Sequence, residues 1–203
     1  MTRAVLIPHG SDGPANQDRA SSRLAQLGYE LDWRHVDKGD SLDQPDDSVA
    51  ITVIYGGGKP EDEKDWHTNR YPWLKNEVRW AEQCIDRNIP TVGFCLGGQI
   101  IAHALGSTIG PHREGFHEFG YYPLTLTEDA HGFFPEGIYG TESHYHGFSL
   151  PEGATLLATT DHFLQAFSFG KTTYGFQFHP ECCLLYTSPS PRDLSTSRMP
   201  SSA

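Results

Sequence analysis

Basic side chains are scarce in this chain: 15 Lys and Arg stand against 26 Asp and Glu, a formal net charge of -11 over 203 residues. Phosphate backbones are gripped by clustered Lys and Arg, so this balance excludes a nucleic-acid partner. Long apolar runs are missing as well. No stretch of eighteen apolar residues occurs, which excludes a membrane-spanning helix. The apolar run after Met1-Thr2-Arg3 is too short for a signal peptide and reads as a first strand. Cysteine is sparse. Four are present, two of them adjacent at Cys182-Cys183, which makes neither a disulfide framework nor a paired CxxC metal pattern and suits a reducing cytoplasm. There is no G-x-x-x-x-G-K-[ST] phosphate loop, no internal repeat, and too little length for a second ordinary domain.

What is present fits a globular chain, with 37% hydrophobic and 20% charged residues. Ala4 to Ile7 is a short apolar run suited to a buried parallel strand. A helix is expected from Gln17 to Leu27, stopped at Gly28, and a strand from Tyr29 to Val36. The β-branched run Val49 to Tyr55 is the clearest strand and ends in Gly56-Gly57-Gly58. Pro72 to Asn88 is the most helical stretch, with Pro72 in its first turn and Trp73, Val78, Ala81 and Ile85 as its expected buried side. Trp66, Tyr71, Trp73 and Trp80 are expected to pack this helix on a sheet, and Cys84 to be a small core residue. A strand from Ile89 to Phe94 and a helix from Gln99 to Leu105 follow. Short strands are then expected at Phe119–Leu126, Thr155–Thr159, Phe163–Phe169 and Thr173–Phe178. This order predicts an α/β fold: a mostly parallel sheet covered on both faces by helices, with an antiparallel extension.

The final residues change character. Cys183–Asp193 and Ser197–Ala203 back-translate, in one frame, to the two sides of a transposase-type sequencing adapter. We therefore expect residues 1–181 to form one domain and 182–203 to be a non-native tail, the other reading being a genuine disordered tail. On the first reading, native protein continued beyond Glu181.

Two motifs carry chemistry. Gly93-Phe94-Cys95-Leu96-Gly97-Gly98-Gln99 places a cysteine between a strand and a helix, with glycines two residues before and after it. A nucleophile on such a turn needs small neighbours, and the positive end of the helix dipole favours its thiolate. The bland reading is a buried cysteine in a tight turn. Phe176-Gln177-Phe178-His179-Pro180-Glu181 supplies the complement. Residues two apart on an extended strand share a face, so Glu181 can orient the imidazole of His179, and His179 can take a proton from Cys95. Taken alone, His-Pro-Glu would be a strand-ending turn.

Together the two motifs resemble class I glutamine amidotransferases, whose glutaminase domain also occurs in GMP synthase. The resemblance runs from about Leu6 to Glu181. It implies a flavodoxin-like three-layer sandwich, with glutamine as substrate and no metal or other cofactor. Cys95, His179 and Glu181 would be the catalytic residues, and the backbone N–H groups of Leu96 and Gly57 the oxyanion donors. Gln99 would lie at the glutamine-binding position, although a polar helix residue is the plain alternative. Gly56-Gly57-Gly58-Lys59-Pro60 departs from the family's more usual Gly-Gly-Pro, which leaves the oxyanion donor on that loop open. Ser143-His144-Tyr145-His146-Gly147-Phe148 resembles the loop beside the glutamine pocket, which would make His146 and Gly147 substrate contacts. Two histidines two apart are weak evidence for a metal, and ordinary surface histidines remain the third reading. Three functions stay open: a glutaminase feeding ammonia to a synthetase in trans, a γ-glutamyl amide hydrolase, and a silent regulatory module.

Overall fold

The computed structural model describes residues 2–10, 18–57 and 71–182. Gly58, Lys59, Pro60, Trp66, the start of the first expected helix at Gln17, and the tail from Cys183 onward lie outside the described residues.

The first half alternates as expected: β1 (Arg3–Ile7), α1 (Arg19–Gln26), β2 (Glu30–Trp33), β3 (Val49–Ile54), α2 (Pro72–Asp86), β4 (Thr91–Phe94) and α3 (Leu96–Ala104). Short strands follow: β5 (Ile109–Pro111), β6 (Glu118–Pro123), β7 (Thr125–Leu126), β8 (Tyr139–His144), β9 (His146–Phe148), β10 (Thr155–Thr159), β11 (Leu164–Phe169) and β12 (Thr173–Phe176). The main sheet has eight strands in the order β2-β1-β3-β4-β12-β11-β10-β7. From β2 through β12 neighbouring strands are parallel, and from β12 through β7 they are antiparallel. β5–β9 and β6–β8 form two separate two-stranded sheets.

β1 explains why its sequence does not alternate. Val5 and Ile7 enter a core with α2 and α3 on one face, while Ala4 and Leu6 pack with Leu24 of α1 on the other. A strand covered on both sides has no wet face to mark. α1 begins at Asp18, whose side chain accepts the Ser21 N–H at 2.8 Å, an N-cap.

On α2, Trp80, Ala81 and Cys84 are buried as expected, but the buried side is turned from the expected one. Its centre is Leu74, Glu77, Trp80, Ala81 and Cys84. Trp73, Val78 and Ile85 pack only along the margins of that core. The reason is polar. Trp80 Nε1 donates to Thr52 Oγ1 at 3.0 Å, and Glu77 Oε2 lies 2.9 Å from His9 Nε2, so these two residues turn the helix toward the sheet. The expected strand at Phe119–Leu126 is also two strands. β6 pairs with β8, β7 joins β10, and Pro123, with no N–H to donate, sits at the end of β6. β2 stops at Trp33, and the chain passes into a 3-10 turn at Val36–Lys38.

Phe167 on β11 is fully buried against Phe148, their ring centroids 5.2 Å apart. Phe167→Ala is expected to lower stability by about 3–5 kcal/mol. Urea unfolding checks this through a lower midpoint at an unchanged slope.

Candidate active site

Cys95 has φ 50 and ψ -108, and a positive φ is shared among described non-glycine residues only by Asn88. Such a backbone carries strain of roughly 1–3 kcal/mol and persists only where its surroundings enforce it. Here they do. The Cys95 N–H donates to Phe176 O at 2.8 Å, and the Cys95 carbonyl accepts from Gln99 N at 3.0 Å, which starts α3. The neighbouring backbone then crowds in. A Cβ on Gly93 would lie 2.3 Å from Gly97 O, one on Gly97 would lie 1.9 Å from Ile54 O, and one on Gly98 would lie 2.4 Å from Phe176 O. The helix therefore begins directly after the cysteine, three residues earlier than its sequence suggests.

His179 and Glu181 lie past the end of β12, on a turn and not on the strand itself. The His179 N–H donates to Thr141 O at 2.9 Å, which draws this segment toward β8. The expected contact nonetheless forms: His179 Nδ1 lies 2.7 Å from Glu181 Oε1, with Glu181 only 7% exposed. Burial opposes charge on His179, but its bonds to Cys95 and Glu181 outweigh that penalty and raise its pKa to about 11. The imidazole thus keeps both ring protons through neutral pH.

Around the thiol stand groups the sequence reading passed over. Cys95 Sγ lies 3.9 Å from the Ser143 carbonyl oxygen, and Gln177 Nε2 lies 3.8 Å from the sulfur. Gln177 belongs to the Phe176–Glu181 motif, where its place beside His179 is the sequence signal for it. Gln99 is buried, and its amide nitrogen donates to His146 O at 3.1 Å and Gln177 Oε1 at 3.2 Å. It ties α3 to the β8–β9 turn. His146 takes part through its backbone carbonyl. Gly147 has a packing reason to lack a side chain, since a Cβ there would lie 2.6 Å from Phe163 Cδ1.

The turn after β3 closes the other side. A Cβ on Gly56 would lie 2.6 Å from His179 Cε1 and 3.2 Å from Cys95 Cβ. Gly57, at φ 147, faces His9, where a Cβ would come within 2.4 Å of His9 Cβ. His9 Nδ1 donates to Tyr55 O at 3.1 Å, and its Nε2 bonds Glu77. One buried pair thus fixes the ends of β1 and β3 to α2. A second buried group lies behind Ser143: Glu118, Glu142, His144 and Gln165. Burial opposes charge on His144, yet Glu118 and Glu142 raise its pKa to about 9, and burial pushes the Glu142 carboxyl up.

Sequence comparison matches residues 15–191 to the glutamine amidotransferase class-I family. The chain belongs to that family. A glutamine amidotransferase-like protein of Salmonella typhimurium is 31% identical over 76% of this chain and 66% of its own length. A similar protein of Schizosaccharomyces pombe is 30% identical over 75% of the chain and 64% of its own length. The glutamine-hydrolysing GMP synthase of Leifsonia xyli is 34% identical over 51% of the chain, but only 22% of that protein is spanned. The chain thus covers just under two thirds of the relatives it matches most fully. Among solved structures, a glutamine amidotransferase from Thermotoga maritima superposes with a TM-score of 0.76 at 26% identity, over 88% of this chain and 75% of that one. The fold is accordingly the flavodoxin-like α/β sandwich of this family. No helix among the described residues is long and apolar enough to cross a membrane.

In this amidotransferase-family site the charge on His179 is directly testable. Imidazole nitrogen NMR should find His179 doubly protonated at pH 8, where an ordinary histidine of pKa about 6.5 has lost its charge. Because the shift is upward, the proton should leave only as pH climbs toward 11, and Glu181→Gln should move that loss to lower pH.

Proposed function

We propose that the chain is a glutaminase module in which Cys95, His179 and Glu181 hydrolyse the side-chain amide of glutamine. The observation that carries this reading is the convergence of a cysteine in a strained elbow with an imidazole whose Nδ1 lies 2.7 Å from a buried carboxylate. The Cys95 thiolate adds to the amide carbon. The resulting oxyanion is held by the N–H of Leu96, at the start of α3, and that of Gly57 in the turn beside it. His179, already protonated, gives its proton to the amide nitrogen, and ammonia leaves as the glutamyl thioester forms. Water then adds to the thioester, His179 takes its proton, and glutamate departs with the thiolate restored. Glu181 keeps Nδ1–H engaged throughout, so the other ring nitrogen does the proton transfer.

The glutamine is assigned to the edge made by Gln99, His146 and Gly147. Gln99 serves there by holding the His146 carbonyl and the Gln177 amide in place, since both of its own N–H donors are engaged. No metal or other cofactor enters these steps. The ammonia acceptor is a synthetase, acting as a separate cytoplasmic protein or as further chain, in line with the GMP synthases in which the matching region is a minor part. Residues 1–181 would be the catalytic domain and 182–203 a non-native tail.

Cys95→Ala should lower glutamine hydrolysis by at least about a thousandfold while leaving the fold intact. Gly56→Ala, which drives a methyl group into His179, should lower kcat more than it raises KM. Ammonia release, measured with and without a candidate synthetase, checks both. Undiminished release from Cys95→Ala would contradict the assignment.

A further inference from the structure

The hairpin behind the thiol contains a group of side chains that the proposed reaction does not use. β6 and β8 pair with Glu118 opposite His144 and Gly120 opposite Glu142. Residues two apart share a face, so Glu142 and His144 project with Glu118 to the same side. Glu118, Glu142 and His144 are 1%, 2% and 3% exposed, and their ligand atoms all lie within 4.8 Å of one another. His144 Nδ1 donates to the His146 carbonyl at 3.1 Å, which leaves Nε2 facing both carboxylates, at 3.2 Å from Glu118 Oε2 and 3.1 Å from Glu142 Oε2.

What this cluster lacks is enough donors: His144 Nε2 and Gln165 Nε2 both face Glu118 Oε2, and acceptors are left over. Glu142 approaches His144 as an ion pair, yet neither of its oxygens receives a hydrogen bond. Glu118 Oε1 and Gln165 Oε1 are likewise buried without one. All four unmatched atoms are acceptors. Buried acceptors with nothing donating to them are strongly unfavourable. The Glu142 carboxyl is packed tightly in place: a Cβ on Gly140 would lie 2.5 Å from Glu142 Oε1.

We propose that Glu118, Glu142 and His144 hold a divalent metal ion of the zinc class. Ligand atoms about 2.0–2.2 Å from such an ion stand roughly 3.0–3.6 Å from one another, depending on coordination number, and the two N–O separations fall in that range. The charges balance, two carboxylates and a neutral imidazole against a dication. The surroundings match what ligands need: a histidine donates its other ring N–H to a backbone carbonyl, and a ligating carboxylate is itself hydrogen-bonded. Gln165 Nε2 supplies the latter, 2.7 Å from Glu118 Oε2. The ion's work is structural. A two-stranded sheet alone is marginal in water, and this one carries the Ser143 carbonyl that lies 3.9 Å from Cys95 Sγ. A metal bridging β6 and β8 would staple that hairpin in place. The proposal stands apart from glutamine chemistry and survives if that reading fails.

The test is metal stoichiometry on the full chain. His179, Glu181 and Cys182 form another group able to take a metal, so the thiols are removed first by Cys95→Ala, Cys182→Ser and Cys183→Ser together. This variant, stripped by chelator and equilibrated with zinc, should bind one equivalent by elemental analysis, and its thermal midpoint should rise with zinc concentration. Adding Glu142→Gln should weaken zinc binding at least tenfold. Should that variant fail to fold, the stoichiometry and thermal response of the triple-cysteine parent, which keeps only the buried Cys84, decide alone. A folded parent that takes up no zinc overturns the proposal. So does a folded Glu142→Gln variant that keeps the full equivalent.

Discussion

The approach of the α3 backbone to the carbonyl end of β3 sets the geometry of everything around it. Gly97 stands so close to Ile54 O that a side chain there would have its first carbon 1.9 Å from that oxygen. For α3 to begin there, the chain leaving β4 must reverse within one residue, and Cys95 takes the positive φ that allows it. Every glycine at the elbow relieves one face of this crowding: Gly93 against Gly97, Gly98 against Phe176 O. The cysteine is therefore strained because the sheet and helix are packed closely, and its sulfur emerges at the carboxyl ends of the strands, where open α/β sheets place their ligands.

Around that fixed point the chain arranges its charge in pairs. It is acidic overall, yet its interior polar groups pair imidazole with carboxylate: His179 with Glu181, His9 with Glu77, His144 with Glu118 and Glu142. Each pair joins elements distant in sequence or closes a turn. His9 and Glu77 lock the Gly56–Gly57 turn from behind, and Gln99 locks the β8–β9 turn from the helix side. An ordinary histidine at the surface would lose its proton near neutrality. Held this way, His179 has its pKa raised to about 11, which is the property the proposed proton donation to a leaving amine needs.

The sequence made these features legible unevenly. Cys95, His179 and Glu181 were readable because each sits in a short motif whose residues meet locally: glycines flank the elbow, and two positions separate the imidazole from its carboxylate. The helices and core strands were readable through β-branched runs, caps and Pro72. His9 and Glu77 were not, because their contact spans 68 residues and neither belongs to a local pattern. Nor were Glu118 and Glu142. β8 reads Tyr-Gly-Thr-Glu-Ser-His, too polar to suggest a buried strand, and only pairing with β6 brings its acidic face inside. The face of α2 is only partly legible, with Trp80, Ala81 and Cys84 buried as expected and Glu77 buried against expectation, for a related reason. A hydrophobic pattern cannot foresee that a glutamate is drawn inward by a histidine in the loop after β1.

The central claim is that Cys95, held in its strained elbow beside His179, is the nucleophile. Cys84 is fully buried beneath α2, where burial pushes its thiol up to about 12, and Cys182 is half-buried with its thiol also pushed up by burial. The most direct measurement is peptide mass spectrometry after exposing the folded protein to a diazoketone analogue of glutamine. A single adduct on Cys95, blocked by excess glutamine, is the expected result. An adduct on another cysteine, or glutamine hydrolysis by protein that never labels at Cys95, would contradict it.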